Sequence, residues 1–441
     1  MKIAVVGAGW AGLAAAVTAV NAGHTATVFE AAPTIGGRAR ALPLALPDGR
    51  KVVLDNGQHI LIGAYTDTLQ LMRTVGLNPD TLMLRQALSM PFVDGTGLQT
   101  PAWAAQWPAP LDALAAICTA AGWSFRDRGS LLQAALGWQL HGFRCDAGLA
   151  VHDLCAALTP RVYQELIEPL CVSALNTPAR HASGQVFLRV LKDALFGIKG
   201  GSNLLLPTTD LSALFPDAAV RWLTASARGT VRGACRVQTL QWHTSHWHVN
   251  QEPFDAVIWA TSASNAAKAL MDSAGAAPDF IANTLKPWCA LASSLRFEAI
   301  TTVYALAPRA RLPRPMLALR CTTGAPAQFV FDRGQLGGPE GLLAFVVSAS
   351  QGSRDVVQAQ VLDQARVQLR PLNLGSLQAV QTVVEKRATF ACTPGLQRPA
   401  CTIAPGLIAA GDYVEGPYPA TLEGAVRSGI AAAQSLSIHH R

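Results

Sequence analysis

Apolar positions follow two regimes along the chain. Lys2–Val6 is a short apolar run of the kind that fills a buried parallel strand. Ala11–Asn21 is alanine-rich and helix-forming, with Gly23 placed to cap it. Thr25–Phe29 carries β-branched residues and reads as a second strand. Together they make a strand–helix–strand unit of about 30 residues, the size of a parallel crossover. Asp255–Ala260 is another buried strand, and Gly406–Ala410 with Glu423–Ser435 reads as strand, loop, helix. Between these stretches the pattern changes. Pro101–Gly142 carries Trp103, Trp107, Trp123 and Trp138 among Ala, Leu and Pro, and predicts helices with aromatic ends. Val151–Phe196 continues as helix, with turns near Pro160 and Pro178. Leu291–Phe297, Met316–Arg320, Gln328–Phe331 and Leu342–Val347 are short apolar runs separated by Gly and Pro, which predicts an antiparallel sheet. Asp355–Leu369 reads as a helix and Gln378–Arg387 as a further strand.

This alternation predicts an α/β fold. A Rossmann-like dinucleotide-binding domain is expected from residues 1–75, 200–265 and 395–441. The intervening 76–199 and 266–394 form a substrate domain of helical cap plus antiparallel sheet around an apolar tunnel. Half the residues are hydrophobic and 14% are charged, which favours a large buried core over disorder. No apolar run reaches the roughly 18 residues of a membrane-crossing helix. Met1-Lys2 and the apolar stretch to Val20 imitate a signal peptide, but Gly7, Gly9 and Gly12 are ill placed for one. Nine cysteines at irregular spacing fit a reducing cytoplasm. The net charge of +7 favours anionic surfaces. No basic run or RNA-binding motif accompanies it, so no nucleic acid partner is expected. The charge and the Trp-rich segment together predict a cytoplasmic protein held peripherally on the inner face of the membrane.

Gly7-Ala8-Gly9-Trp10-Ala11-Gly12 fits G-x-G-x-x-G between a strand and a helix. Gly7 permits the tight turn, Gly9 lets a pyrophosphate approach the backbone, and Gly12 lets helix and strand pack closely. The helix N-terminus beyond offers N–H groups and a positive dipole end to phosphates. Glu30, at the end of the second strand, is placed to accept hydrogen bonds from ribose hydroxyls and disfavours a 2′-phosphate. Gly36-Gly37-Arg38-Ala39-Arg40 offers a second phosphate-wrapping turn, with Arg38 or Arg40 as charged donors. Asp55-Asn56-Gly57-Gln58-His59 is a dense polar cluster. Gly57 would admit a planar ring that Gln58 and His59 face; the competing reading is an Asn-Gly hairpin turn. Near the other end, Gly411-Asp412 closes a strand, and Pro417–Ala425 opens a helix through Thr421 and Leu422. Asp412 suits a chain of hydroxyls, and the helix start suits a phosphate or a ring carbonyl. His243, His246 and His248 lie on a short polar strand without carboxylate or Cys neighbours, so no metal site is expected.

The first sixty residues and Gly411–Ala425 resemble the flavin amine oxidase and phytoene desaturase superfamily. The segments DNGQHILIG (55–63), EPLCVSALN (168–176), NLLLPTTDLSALFP (203–216) and 410–425 are similar, within it, to the hydroxysqualene dehydroxylase family of squalene-associated FAD-dependent desaturases. The resemblance implies a glutathione-reductase-type fold holding FAD through Gly7, Gly9, Gly12, Glu30, the Gly36–Arg40 turn, Gly57, Gly411, Asp412, Thr421 and Leu422. It implies a long isoprenoid substrate, hydroxysqualene, whose hydroxyl is removed reductively to give squalene. His59, Asp55 and Gln58 are the candidates for acid or orienting groups. Amine-oxidising relatives carry a Tyr where Thr421 stands, so an amine substrate is disfavoured. A carotenoid-type desaturase and a non-catalytic prenyl-lipid carrier are the alternatives that the same resemblance leaves open.

Overall fold

The computed structural model describes residues 1–46, 49–308 and 310–438, so the expected segments 1–75, 266–394 and 395–441 each include residues outside the described ones. Its largest sheet has six strands. Lys2–Val6 lies inside it, flanked by Thr25–Phe29 on one side and Ala256–Trp259 on the other. Gly229–Arg232 extends one edge in parallel, Leu407–Ala409 the other, and Thr402–Ala404 closes that edge antiparallel. The first strand's neighbours come from distant parts of the chain. Its C-terminal end is therefore a topological switch point, where a crevice for a ligand opens in sheets of this kind.

Side-chain alternation assigns each face of the sheet. Ile3, Val5, Val28 and Ile258 point to the layer holding helix Trp10–Asn21, where the C-terminal helix Leu422–Ile438 also packs. The two helices approach closely because of Gly429, where a Cβ would lie 2.1 Å from the Ala11 carbonyl oxygen. Ala4, Val6, Phe29, Val257 and Trp259 point the other way, toward a three-stranded antiparallel sheet carrying Trp247, Val249 and Phe254.

The second large sheet is antiparallel and five-stranded, in the order Met316–Ala318, Phe329–Asp332, Leu342–Val347, Phe297–Leu306, Gln378–Phe390. Val303, Val330, Phe345 and Val347 face helix Arg354–Gln368 through Val357, Val361 and Ala365. The alternate residues face the first domain-sized layer. Leu291–Phe297 is not a strand: helix Asp279–Ser294 runs into it, and the strand starts at Phe297. A short apolar run has no period of its own to separate buried helix from strand. Helices Leu111–Thr119, Phe125–Leu140, Glu168–Leu175 and Gly184–Phe196 form the helical part between residues 100 and 200.

Candidate functional site: a cleft from the glycine turn to the antiparallel sheet

A cavity of about 1020 Å³ is lined both by the glycine turn of the parallel sheet and by Ile300, Phe329, Phe331 and Val346 of the antiparallel sheet. Of the sixteen candidate cofactor-binding and catalytic residues, all but Gly12 and Asp55 line it.

The three motif glycines differ in what surrounds them. Gly7 has φ +109°, and a Cβ there would lie 2.7 Å from the Ala260 carbonyl oxygen. A Cβ on Gly12 would lie 1.9 Å from the Gly7 carbonyl oxygen, so this glycine serves packing rather than contact. A Cβ on Gly9 would meet nothing nearer than Gly37 Cα at 3.9 Å, so its space is open toward the cavity. Gly9 is also the N-cap of helix Trp10–Asn21 and supplies no side-chain cap. The first-turn N–H groups of that helix have no intrahelical acceptor and are available to an anion.

Both Glu30 oxygens receive backbone amides, from Ala8 at 2.8 Å and from Ala32 at 2.8 Å, which fixes the carboxylate at the cavity wall. The Gly36 amide donates to the Ala8 carbonyl at 2.9 Å, so the second glycine turn lies directly on the first. Arg38 does not reach outward as a phosphate donor. Its Nη2 donates to Asp412 Oδ1 at 2.6 Å and its Nη1 to the Ala388 carbonyl at 2.5 Å. Burial would lower the Arg38 pKa, but the Asp412 charge and hydrogen bond outweigh it and hold the guanidinium above its usual range. The two residues expected on separate parts of a cofactor thus clamp residues 36–40 to the Gly411–Asp412 strand end. Arg40 folds back, donating from Nη1 to the Gly37 carbonyl at 2.6 Å.

Strand Lys51–Asp55 pairs with Ala41–Ala45, while the next strand, Leu61–Ile62, pairs with Leu204–Pro207. Asn56-Gly57 is therefore no hairpin turn. Gly57, at φ +121°, bends the strip along the cavity. Asp55 corrects the sequence expectation: it is buried and does not line the cavity. One carboxylate oxygen accepts the Leu211 amide at 2.8 Å; the other lies 3.9 Å from Arg333 Nη2. Desolvation raises its pKa to about 6, against the opposing pull of the Leu211 amide and Arg333. Strand alternation turns it away from the cavity, so it positions its neighbours and does not meet a ligand. Gln58 does line the cavity, and its Oε1 accepts from Arg333 Nη1 at 3.1 Å.

His59 Nδ1 lies 2.8 Å from the Gly57 carbonyl and donates to it, leaving Nε2 as the acceptor of the neutral ring. Burial lowers its pKa, the Gly57 bond opposes this, and the Arg38 charge adds to the lowering. A ring held neutral is a poor acid and a good orienting acceptor, which narrows the two roles expected for it.

At the far end, Thr421 caps the C-terminal helix: its hydroxyl accepts the Gly424 amide at 3.0 Å and donates to the Tyr418 carbonyl at 2.8 Å. Leu422 begins that helix, at the cavity wall.

Sequence reasoning missed several groups. Glu423 is fully buried and accepts from the Asp67 and Thr68 amides, the Thr68 hydroxyl and Arg427, locking the C-terminal helix onto Thr66–Thr74. Asn176, in the left-handed conformation at the end of helix Glu168–Leu175, takes the Ala349 amide at 2.6 Å and donates to Thr389 Oγ1 at 3.0 Å. It lines the cavity, and only its place in EPLCVSALN marked it. Tyr304 donates to the Asp55 carbonyl at 3.0 Å. Thr302, two residues earlier on the same strand face, has a buried hydroxyl with no protein partner. It sits 3.9 Å from where a Cβ of Gly57 would stand.

These features fit a dinucleotide cofactor carrying a planar ring. An uncapped helix end and open Gly9 meet phosphates, a fixed carboxylate meets a ribose, and a ring can lie against Gly57, which lines the cavity. Among the described residues no group of three His, Cys, Asp or Glu side chains is placed to hold a metal ion. All nine cysteines are unpaired. Burial pushes the thiols of Cys155 and Cys392 up to about 12, so they remain protonated thiols in their surroundings.

The chain matches the model of the flavin containing amine oxidoreductases over residues 10–437. A hydroxysqualene dehydroxylase from Zymomonas mobilis is 26% identical over 457 aligned positions, covering 99% of each chain. One from Rhodopseudomonas palustris is 28% identical, covering 97% of this chain and 96% of its own. Among solved structures, an oxidoreductase from Methanosarcina mazei matches with a TM-score of 0.69 at 15% identity, over 99% of this chain and 100% of its own. At that identity the likeness is one of fold.

Proposed function

We propose that this chain, which belongs to the flavin containing amine oxidoreductase family and is an FAD-dependent oxidoreductase, reductively removes the hydroxyl of hydroxysqualene to give squalene. The observation that carries the reading is an apolar wall in the same cavity as a polar strip. Ile300, Phe329, Phe331 and Val346 form the wall; Gln58 and His59 lie on the strip. A long hydrocarbon bearing one hydroxyl matches that distribution. Thr421, committed to capping a helix, leaves no aromatic ring at the position where amine-oxidising relatives have one. The full-length similarity to relatives named for this reaction supports the same choice.

Hydroxysqualene plus one hydride and one proton gives squalene and water, so atoms and charge balance. Fully reduced FAD, when bound, would supply the hydride, and the proton it releases on reoxidation would go to the leaving oxygen, which departs as water. The chain's own part is positioning. His59 Nε2 accepts a hydrogen bond from the substrate hydroxyl, with the ring held by Gly57. Gln58, held by Arg333, limits where that hydroxyl can sit. The sheet wall keeps water from a carbon developing positive charge.

Anaerobically reduced enzyme mixed with hydroxysqualene should be reoxidised as squalene forms. In heavy water, one deuterium should appear on the carbon that bore the hydroxyl. Squalene without that label excludes direct hydride transfer. Oxidised enzyme bleached by amines, with reduced enzyme inert to hydroxysqualene, overturns the assignment. His59→Ala should reduce turnover roughly tenfold to a hundredfold, the scale of a lost orienting contact, with FAD retained. Unchanged turnover would remove His59 from substrate handling.

A further inference from the structure

We infer that helices Leu111–Thr119 and Phe125–Leu140, with the turn Ala102–Ala104 before them, form a surface that lies on an anionic phospholipid bilayer. Seven of the thirteen exposed large hydrophobic side chains among the described residues fall between Trp103 and Leu140. The other six are scattered from Val53 to Val367, as single exposed apolar residues are on most proteins. Trp103 is 60% exposed, Phe125 89% and Leu140 77%, values far from those of a core edge.

The exposure is organised. On the longer helix exposed Phe125, Leu136 and Leu140, with half-buried Leu132 between them, follow helical spacing along one stripe, while Leu131 is buried on the other side. A stripe of large apolar side chains on a helix is ordinarily covered. Here the protein leaves it open. On the shorter helix Leu111 and Leu114 are exposed at i, i+3, above buried Ala113 and Ala116. The two helices pack on each other, and the shorter also contacts the turn that carries Trp103, so the apolar groups lie on one connected unit. Trp103 and Trp107 stack edge-on at 4.9 Å at the start of that unit. Tryptophans at helix ends suit the headgroup level of a bilayer.

Charge selects the occupant. Between Ala102 and Leu140 the exposed charged residue is Arg126, with Arg128 half-buried; past the second helix, exposed Arg144 is followed by exposed Asp146. The two acids between Ala102 and Leu140 are turned inward. Asp112 accepts from Ser202 Oγ at 3.0 Å, and Asp127 accepts from Thr159 Oγ1 at 2.6 Å while capping its own helix. An apolar surface whose exposed charge is positive is complementary to acyl chains beneath anionic headgroups. No helix among the described residues is long and apolar enough to cross a membrane. The helices therefore lie in the plane of the surface.

The test uses the full-length flavoprotein and needs no turnover, so its outcome is independent of the substrate proposed above. Flotation is measured with vesicles of phosphatidylcholine alone and of phosphatidylcholine mixed with phosphatidylglycerol. The wild type should float with the mixed vesicles, less so at high salt. The double variants Trp103→Ser/Trp107→Ser and Leu136→Ser/Leu140→Ser should each partition roughly tenfold or more weakly, since large apolar side chains lose their burial. Arg126→Glu should weaken binding to the mixed vesicles only. Flavin absorbance retained in every variant shows that the fold is intact. The inference is overturned if the wild type floats with neither vesicle, or if the apolar variants float as the wild type does. A dimer in size-exclusion chromatography that these variants dissociate, without vesicle binding, also overturns it and makes the surface an interface between copies.

Discussion

The two ends of the cavity are built by different means. The end nearest the parallel sheet is made of backbone: the open Gly9, helix N–H groups, and Glu30 held by two amides. The opposite end is made of side chains, Ile300, Phe329, Phe331 and Val346, brought together by a sheet spanning residues 297 to 390. Backbone recognition needs a few residues close in sequence and tolerates no added atoms. A side-chain wall needs residues far apart and tolerates repacking. The first end should therefore fail sharply on mutation and the second gradually.

The largest expected effect tests the sharp end. Gly12→Val places side-chain atoms against the Gly7 carbonyl and should cost more than about 4 kcal/mol, with loss of soluble flavoprotein. Gly9→Ala is the control. Its Cβ has room in the protein, so thermal stability should shift by no more than about 1 kcal/mol while FAD affinity falls. Equal stability loss in both would erase the distinction between packing and contact glycines.

Phe331→Ala addresses the other end. Removing a buried ring should lower stability by about 3 kcal/mol and impair turnover of a long hydrocarbon, with the flavin still bound. Loss of flavin in this variant would show that the two ends are not separable. Glu30→Ala should weaken FAD binding by about 1–3 kcal/mol in a titration of apoprotein, since charge-assisted hydrogen bonds are lost. Unchanged affinity would leave the carboxylate a purely internal brace for residues 8 and 32.

The smallest effect concerns the joint between the ends. Asp55 has a folded-state pKa raised to about 6, above its usual value, so its protonated form favours the folded state. The stability this gives is fully present below the unfolded pKa, and is lost as pH rises through about 6. Melting temperatures of Asp55→Asn and wild type measured from pH 4.5 to 7.5 (about three units around that value) should diverge as pH rises, the wild type losing ground. Parallel curves would place the titration elsewhere.

The same contrast explains how much was legible in the chain. The glycine turn, its strands and helix, and Glu30 are set within thirty residues, and local periodicity with glycine spacing predicts them. Fourteen of the residues singled out from sequence line one cavity, because the family-like segments at both chain ends converge on it. Asp55 was misplaced because strand alternation, which turns neighbours to opposite sides, cannot be assigned to a face without the partner strand.

The nucleotide end is encoded locally: a strand, a turn that only glycine can make, and a helix whose first N–H groups have no other acceptor. Only tertiary structure decided that Arg38 would turn from solvent to Asp412, 374 residues away, and that Glu423 would cap a helix near residue 66. It also decided that Asp112 and Asp127 would turn inward beneath an apolar, basic surface. The reason is physical. A backbone turn is a local conformational requirement, whereas the partner of a charge and the face of a strand depend on which distant segment arrives to desolvate them.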